Sequence, residues 1–328
     1  MRRLAVTGAV VILVLAMSPL ASATVDGRNG RIAFRQYLNS AHTHGAIFTI
    51  KPGGTGLRQV THPRKGVITQ EPDWSPGGRW IVYHRQKHEG VPRIFKIRAN
   101  GSHKVNLSNT SCTKGCLGEA YPAWSPHGHR IAFQRDSCST GRTNLLTIYV
   151  MRAHGKHVRR VTQTGATCAS SHRFSSIAPQ WAPNGNRLAF ERVDNQREKH
   201  AVFTIRLNGT GLRQLTPWHM NASQPDWSPG GRWIVFRTQE QSDTKGNIAL
   251  VHPNGKQRHL ITHGGNTHKW LSCSFSPNGK RITAARVPGF GAANNADVYT
   301  MNKNGSDRKN VTHSNAWESA PDWGSRHR

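Results

Sequence analysis

"PDWSPGGRW" stands at Pro72–Trp80 and returns unchanged at Pro225–Trp233, 153 residues later. A catalytic motif is normally written once, whereas a stretch written twice points to a repeated structural unit. Looser copies continue the series. They are Pro122-Ala123-Trp124-Ser125-Pro126, Pro179-Gln180-Trp181-Ala182-Pro183, a degenerate Cys273-Ser274-Phe275-Ser276-Pro277 and a closing Pro321-Asp322-Trp323-Gly324. The Trp or Phe of this anchor recurs every 46 to 57 residues, near the period of about 40–50 for a four-stranded blade.

The residues after each anchor are repeated too. Ser-Pro-x-Gly is turn chemistry, with Pro presetting φ and Gly relieving strain. Then comes a basic residue and an apolar run, as in Ile81-Val82-Tyr83, Ile131-Ala132-Phe133 and Leu188-Ala189-Phe190. A run apolar on both sides suits a strand covered on both faces. After a variable loop, a third strand is expected at Ile94–Ile97, Thr147–Val150, Val202–Ile205 and Val298–Met301. An Asn-Gly turn comes next at 100–101, 208–209, 254–255 and 304–305, a strong hairpin signal. A fourth strand ends in Thr or Ser. The N-terminal stretch from Gly30 to Thr61 has strands two to four without an anchor, and Pro321-Asp322-Trp323 is an anchor with nothing after it. The expectation is an all-β chain: a six-bladed β-propeller of four-stranded antiparallel blades, closed by pairing the C-terminal anchor strand with the N-terminal blade. The anchor Trp is expected to pack between neighbouring blades.

The pattern W-S-P-x-G-x-R-I-A-F, with N-G and L-T further on, resembles the WD40-like propeller repeat of the TolB type across about residues 28–324. The resemblance implies a propeller fold; a fold does not by itself specify a function. TolB carries an extra domain before its propeller, whereas here the propeller is expected to start within a few residues of the export signal. The chain also carries Gly77, His127, Asn184, Gly230 and Asn278 where S-P-D-G has its Asp. Related propellers precede α/β-hydrolase domains, but no G-x-S-x-G elbow occurs here.

The 328 residues carry a net charge of +29, yet only 19% are charged and the chain is apolar enough to fold. Arg2 and Arg3, the apolar run Leu4–Leu15 and Ala21-Ser22-Ala23 read as an export signal over residues 1–23. The mature chain, 24–328, is then a single propeller domain, secreted, cell-wall-associated or periplasmic, with no transmembrane segment and expected as a monomer. Export permits disulfides. Cys112–Cys116 and Cys138–Cys168 are the expected pairs, with Cys273 free and buried; a zinc site from the same cysteines is the alternative.

The residues just before each anchor should rim a central channel on the face that carries the long, irregular loops, where function concentrates. Gln70, Glu71, Glu119, Tyr121, Ser223, Gln224, Trp270 and Glu318 are the candidate partner-binding residues at this channel mouth. Glu71, Glu119 and Glu318 could converge on a cation or on a partner's Lys, Arg or terminal amine, or each could pair with a nearby Arg. His42, His44 and His268 are the weak candidates for a metal; no cofactor is predicted, and a divalent metal stays open.

Basic residues on each outermost strand predict a cationic girdle. Lys and Arg on edge strands also block aggregation, but the excess is larger than that role needs. An exported chain this basic should collect on anionic envelope polymers. No motif for specific nucleic-acid binding is present. Two functions are consistent with these features. The first is a scaffold that binds a protein or peptide partner through its long-loop face and is retained by its charge. The second is a polysaccharide lyase or hydrolase using channel-mouth His and Glu residues, with or without a divalent metal.

Overall fold

The computed structural model describes residues 27–87, 90–108, 117–139, 144–163, 174–239, 246–264, 268–288 and 295–326. The expected export signal, Cys112, Cys116 and Cys168 lie outside these residues, as does the side chain of Cys138. Among the described residues the chain is all-β apart from one short 3-10 turn at Trp218–Met220. Four separate four-stranded antiparallel sheets begin at Gly118, Phe174, Ser223 and His268. An eight-stranded sheet accounts for the rest, and it consists of two four-stranded halves. One half runs from Val67 to Asn106; the other combines the strands from Asn29 to Gln59 with the C-terminal strand Glu318–Ser325. A single parallel bridge, Gly45 to Ile68, joins the halves. The first and last strands of the chain pair antiparallel, Ile32 opposite Trp323 and Gln36 opposite Glu318.

The repeat is legible in the hydrogen bonds. In the first turn the Ser hydroxyl accepts the amide five residues on: Trp80 on Ser75 at 2.9 Å, Arg130 on Ser125 at 2.9 Å, Trp233 on Ser228 at 2.9 Å and Arg281 on Ser276 at 3.0 Å. Ala182 replaces that Ser in one copy and keeps only the backbone bond to Arg187. The outer Asn-Gly turns are three-residue loops, closed by Gly101 N–H to Arg98 O and Arg98 N–H to Ser102 O. The Asn carboxamide accepts the amide two residues on, as from Ser102 at 3.1 Å, an Asx turn. At Gly305 (φ +81°) a Cβ would sit 1.7 Å from the Ile261 carbonyl oxygen, so no other residue fits.

The Thr or Ser ending each fourth strand has one job in every copy. Its hydroxyl accepts the third-strand amide 14 residues earlier: Ile47 on Thr61, Ile94 on Ser108, Ile148 on Thr162, Val202 on Thr216, Ile248 on Thr262 and Val298 on Thr312, all at 2.8–3.0 Å. The fourth strand is only two residues long, so without the hydroxyl this buried donor would have no ladder partner.

The core lies between the four-stranded units. Trp181 packs against Ala123, Ile148 and Val161 of the preceding unit. Trp124 meets Val82, Ile94 and Leu107 in the same way, and Trp323 meets Val298 and Val311. The anchor Trp therefore stitches sheet to sheet, as its repetition suggests. Each innermost strand also packs on the next, with His268–Phe275 against Glu318–Ser325 and that strand in turn against Val67–Trp74.

Ser228→Ala should cost about 1 kcal/mol, the net worth of one hydrogen bond, and Ala182→Ser should recover part of that in its own turn. Urea unfolding of both variants checks this; equal midpoints for Ser228→Ala and wild type would mean that the turn hydroxyl contributes nothing.

Candidate functional site

Apart from the Gly45–Ile68 bridge, the innermost strands leave one edge unpaired, and all six of them line a shared cavity. Proline is tolerated there because no ladder partner needs its missing N–H. Just before each anchor Pro the register with the second strand slips, as between Gln70 and Asp73 or Ser223 and Asp226. The residue at the slip takes a left-handed backbone: Glu71 (φ 51°), Tyr121 (50°), Ala178 (48°), Gln224 (48°) and Ala320 (53°). Such φ values are uncommon for non-glycine residues. In the degenerate copy, where Cys273 replaces Pro, Ser272 is not left-handed. The slip turns these side chains inward, and Glu71, Tyr121, Ala178, Gln224, Ser272 and Ala320 line one cavity of about 60 Å³.

Two kinds of hydrogen bond tie these strands to their neighbours, both present at the strands of Trp124, Trp181 and Trp323. The left-handed residue's amide donates to a second-strand polar group of the preceding unit: Tyr121 to His84 Nδ1 (3.4 Å), Ala178 to Gln134 Oε1 (3.3 Å) and Gln224 to Glu191 Oε2 (3.2 Å). Ala320 instead uses Ser272 Oγ (2.8 Å). The anchor Trp or Phe amide donates to the preceding anchor Asp: Trp74 to Asp322, Trp124 to Asp73 and Phe275 to Asp226, each at 2.7 Å. Where the anchor has no Asp the latch changes. Trp323 N–H reaches Ser274 Oγ at 3.1 Å, and Trp181 Nε1–H reaches the Ala123 carbonyl at 3.0 Å.

Asp73, Asp226 and Asp322 line both the 60 Å³ cavity and a second cavity of about 40 Å³ on the short-turn side, so they form the neck between the two. Burial raises the pKa of all three, and the neighbouring carboxylates add to the rise at Asp226 and Asp73. Asp226 goes to about 8 and Asp322 to about 6, while Asp73 rises well above the carboxylate range through burial and the charges of Asp322 and Asp226. Glu71 is raised by burial and partly offset by the Arg35 guanidinium. Arg35 bridges the innermost strands by donating to Gln70 Oε1 and Ser319 Oγ, and it lies 4.4 Å over the Tyr37 ring. Burial keeps His84 neutral, with a pKa of about 3. The Tyr121 hydroxyl is raised by the Glu71 charge and by burial. Glu191 pairs with His200.

Of the residues expected at the mouth, Glu71, Tyr121 and Gln224 line the cavity, and Gln70 sits behind it on Arg35. Ser223 lies opposite Arg237 in the ladder and does not line the cavity. Glu119, Glu318 and Trp270 are corrections. All three stand two positions before the slip, where the strand turns its side chains into the sheet stack. Glu119 is 0% exposed, ion-paired with Arg135 and held by Ser108 Oγ at 2.6 Å. Glu318 is 1% exposed and accepts Ser314 Oγ at 2.8 Å; burial lifts its pKa to about 7. Trp270 is fully buried, edge-on to Tyr299 and His268. The three glutamates therefore do not converge. The acids that do converge are Glu71 and the anchor aspartates, and the repeated Pro-Asp-Trp was their signal. The metal candidates also separate: His42 stacks on Tyr37 at 4.4 Å, His44 Nε2 meets Pro63 O at 3.1 Å, and His268 faces Arg286 and Arg308. Among the described residues no group of three His, Cys, Asp or Glu could hold a metal. Cys273 is buried with a free thiol.

Residues 163–323 match the TolB beta propeller domain family. The chain is TolB-like. TolB of Acinetobacter baumannii superposes with a TM-score of 0.69 at 20% identity, over 90% of this chain and 67% of that one. An oligogalacturonate lyase in complex with manganese superposes with a TM-score of 0.52 at 11% identity, over 88% and 74%. At these identities the likeness is one of fold. An uncharacterized protein of Agrobacterium fabrum is 27% identical over 124 residues, 37% of this chain and 39% of its own length. No described helix of this TolB-like chain is long and apolar enough to cross a membrane.

Two outcomes are expected. Glu119→Ala leaves the half-buried Arg135 without its carboxylate and should cost about 3 kcal/mol, the lower end for breaking a buried pair, read by urea unfolding; a loss below about 1 kcal/mol, as for an exposed pair, would contradict the buried-pair account. The second concerns pH. Asp226 and Asp322 have folded pKa values above the unfolded value of about 3.9. The folded state thus binds more protons than the unfolded state from about pH 4 up to about 8, and this contribution falls as pH rises through that window. Asp226→Asn keeps the acceptor for the Phe275 amide and removes the titration. Its melting temperature relative to wild type should climb from pH 5 to pH 8; a constant difference would rule the buried acid out.

Proposed function

We propose that the chain is an exported, closed six-bladed propeller that works as a binding scaffold. Counting each half of the eight-stranded sheet as one blade makes six, and the pairing of Asn29–Tyr37 with Glu318–Ser325 would close the ring. Residues 1–23 would direct export, and the mature chain would act as a monomer outside the cytoplasm. Its long-loop face takes a protein or peptide partner, and its cationic surface retains it at an anionic envelope.

The observation that carries this reading is the gathering of acids at the mouth. A chain with 45 Lys and Arg against 16 Asp and Glu gathers Glu71, Asp73, Asp226 and Asp322 around one cavity of about 60 Å³. That volume suits a single ammonium or the tip of a guanidinium, not a sugar ring. A partner presenting a Lys, an Arg or its terminal amine would bring the countercharge those acids lack, and would draw their pKa values down as it docks. Tyr121 and Gln224 on the same wall offer a hydroxyl and a carboxamide for orientation.

The lyase or hydrolase reading finds less support at this mouth. His84 Nδ1 and Glu191 Oε2 are engaged by the amides of the next unit, so these groups hold neighbouring units together and are poorly placed to move protons on a substrate. A divalent metal would need ligands from outside the described residues.

Co-sedimentation of the mature protein with isolated envelopes in raised salt tests the scaffold. Salt screens the girdle and leaves the docked mouth. Wild type should stay bound and Glu71→Gln/Tyr121→Phe should be released. Equal retention of both proteins at every salt concentration would show that no partner docks at the mouth.

A further inference from the structure

The face opposite the mouth carries the short turns. Across both sets of turns the sequence places one acid, Asp307, and it is taken by Arg281 and Lys309. The turn tips that might have balanced the charge are Gly77, His127, Asn184, Gly230 and Asn278, none of them acidic. On this face, between the units that begin at Phe174, Ser223 and His268, lies a groove of about 1020 Å³. Its cations are Arg187, Arg232 and Lys303, one from each unit; its walls include Pro183, Pro229 and the partly exposed Trp233. No carboxylate lines it. None of the three cations has a side-chain hydrogen bond or ion pair among the described residues.

We propose that this groove binds a linear, carboxylate-bearing polysaccharide. It deepens the envelope-retention part of the proposed function and rests on that reading, but not on the mouth. Three features select this ligand. Cations recurring once per blade match a polymer with a charge on each residue. Arginine's planar fork suits a carboxylate, which it can bind through two parallel hydrogen bonds. Proline and tryptophan walls offer apolar surface to the C–H faces of sugar rings, as expected of a site with few polar groups among apolar ones. Gly230 and Gly231 keep one wall of the groove low, so a flat chain can approach the backbone. A duplex nucleic acid or a lipid surface is convex or flat on this scale and would use the girdle as readily as the groove.

Titration calorimetry of the exported full chain with short oligogalacturonate, at physiological salt, is the test. The methyl-esterified oligomer, duplex DNA and phosphatidylglycerol vesicles are the comparators. Arg187→Gln/Arg232→Gln/Lys303→Gln should weaken oligogalacturonate binding by about tenfold or more, the sum of three contacts each at the modest worth of an exposed ion pair. Lys104→Gln/Arg160→Gln/Arg213→Gln, which removes the same charge from the girdle, should change it by less than about threefold. The esterified oligomer should not bind. Lys303→Glu alone, at an exposed turn position, repeats the test should the triple variant fold poorly. Equal losses from the groove and girdle variants would overturn the proposal, as would absent binding, or DNA or vesicles binding with the same dependence on the groove. Glu71→Gln/Tyr121→Phe should leave oligogalacturonate binding intact. Envelope docking left unchanged in that variant, with oligogalacturonate binding still dependent on the groove, would sink the mouth reading and spare the groove.

Discussion

One interaction recurs where neighbouring sheets meet: the amide of an anchor Trp or Phe donating to the carboxylate of the preceding anchor, at 2.7 Å in three places. Hydrophobic packing between sheets is strong but non-directional, and by itself it would let one sheet slide or tilt against the next. A short, directional hydrogen bond from a rigid backbone donor does not permit that. It sets the height of each innermost strand against its neighbour, and so brings all of the left-handed residues to one level. The cavity and its lining follow from that alignment.

The same latch has an electrostatic consequence. Its acceptors line one neck, so three aspartates meet where water is scarce; burial raises the proton affinity of each, and the Asp322 charge adds to it at Asp73 and Asp226. The proposed docking site and the fold draw on one set of residues here. A carboxylate kept to hold two sheets together also makes the axis acidic, in a chain whose outer surface is strongly basic. The two faces therefore differ: acids gather at the long-loop mouth, and Asp307 is the one acid across the short turns.

The substitutions at degenerate positions show how far the latch can be altered. Ser274 replaces an Asp and still accepts the Trp323 amide. Ala123 accepts nothing through its side chain, and the Trp181 indole reaches its carbonyl instead. Each replacement keeps a hydrogen bond across the interface and drops a charge from the neck. The fold asks for an acceptor; only some copies supply it as an acid.

Much of the architecture was legible in the sequence because it was written several times over. Ser-Pro-x-Gly, the apolar second strand, Asn-Gly and the terminal Thr each state a local rule, and local rules do not depend on where the chain goes next. Side-chain direction on the innermost strand was not legible. Alternation runs from Glu119 and Trp270 toward the anchor, but the slip just before the Pro shifts the pattern, and no residue preference announces it. Glu71 turns inward because it sits at that slip, while Glu119 and Glu318, two positions earlier, turn into the stack. The anchor Asp read as part of a structural motif, which it is. That three of them share one neck depends on the innermost strands gathering about one axis, and only the tertiary structure brings residues 73, 226 and 322 together. Sequence by itself determined the repeat, the strands and the sign of the surface; tertiary packing decided which acids meet, since that depends on register between sheets distant in the chain.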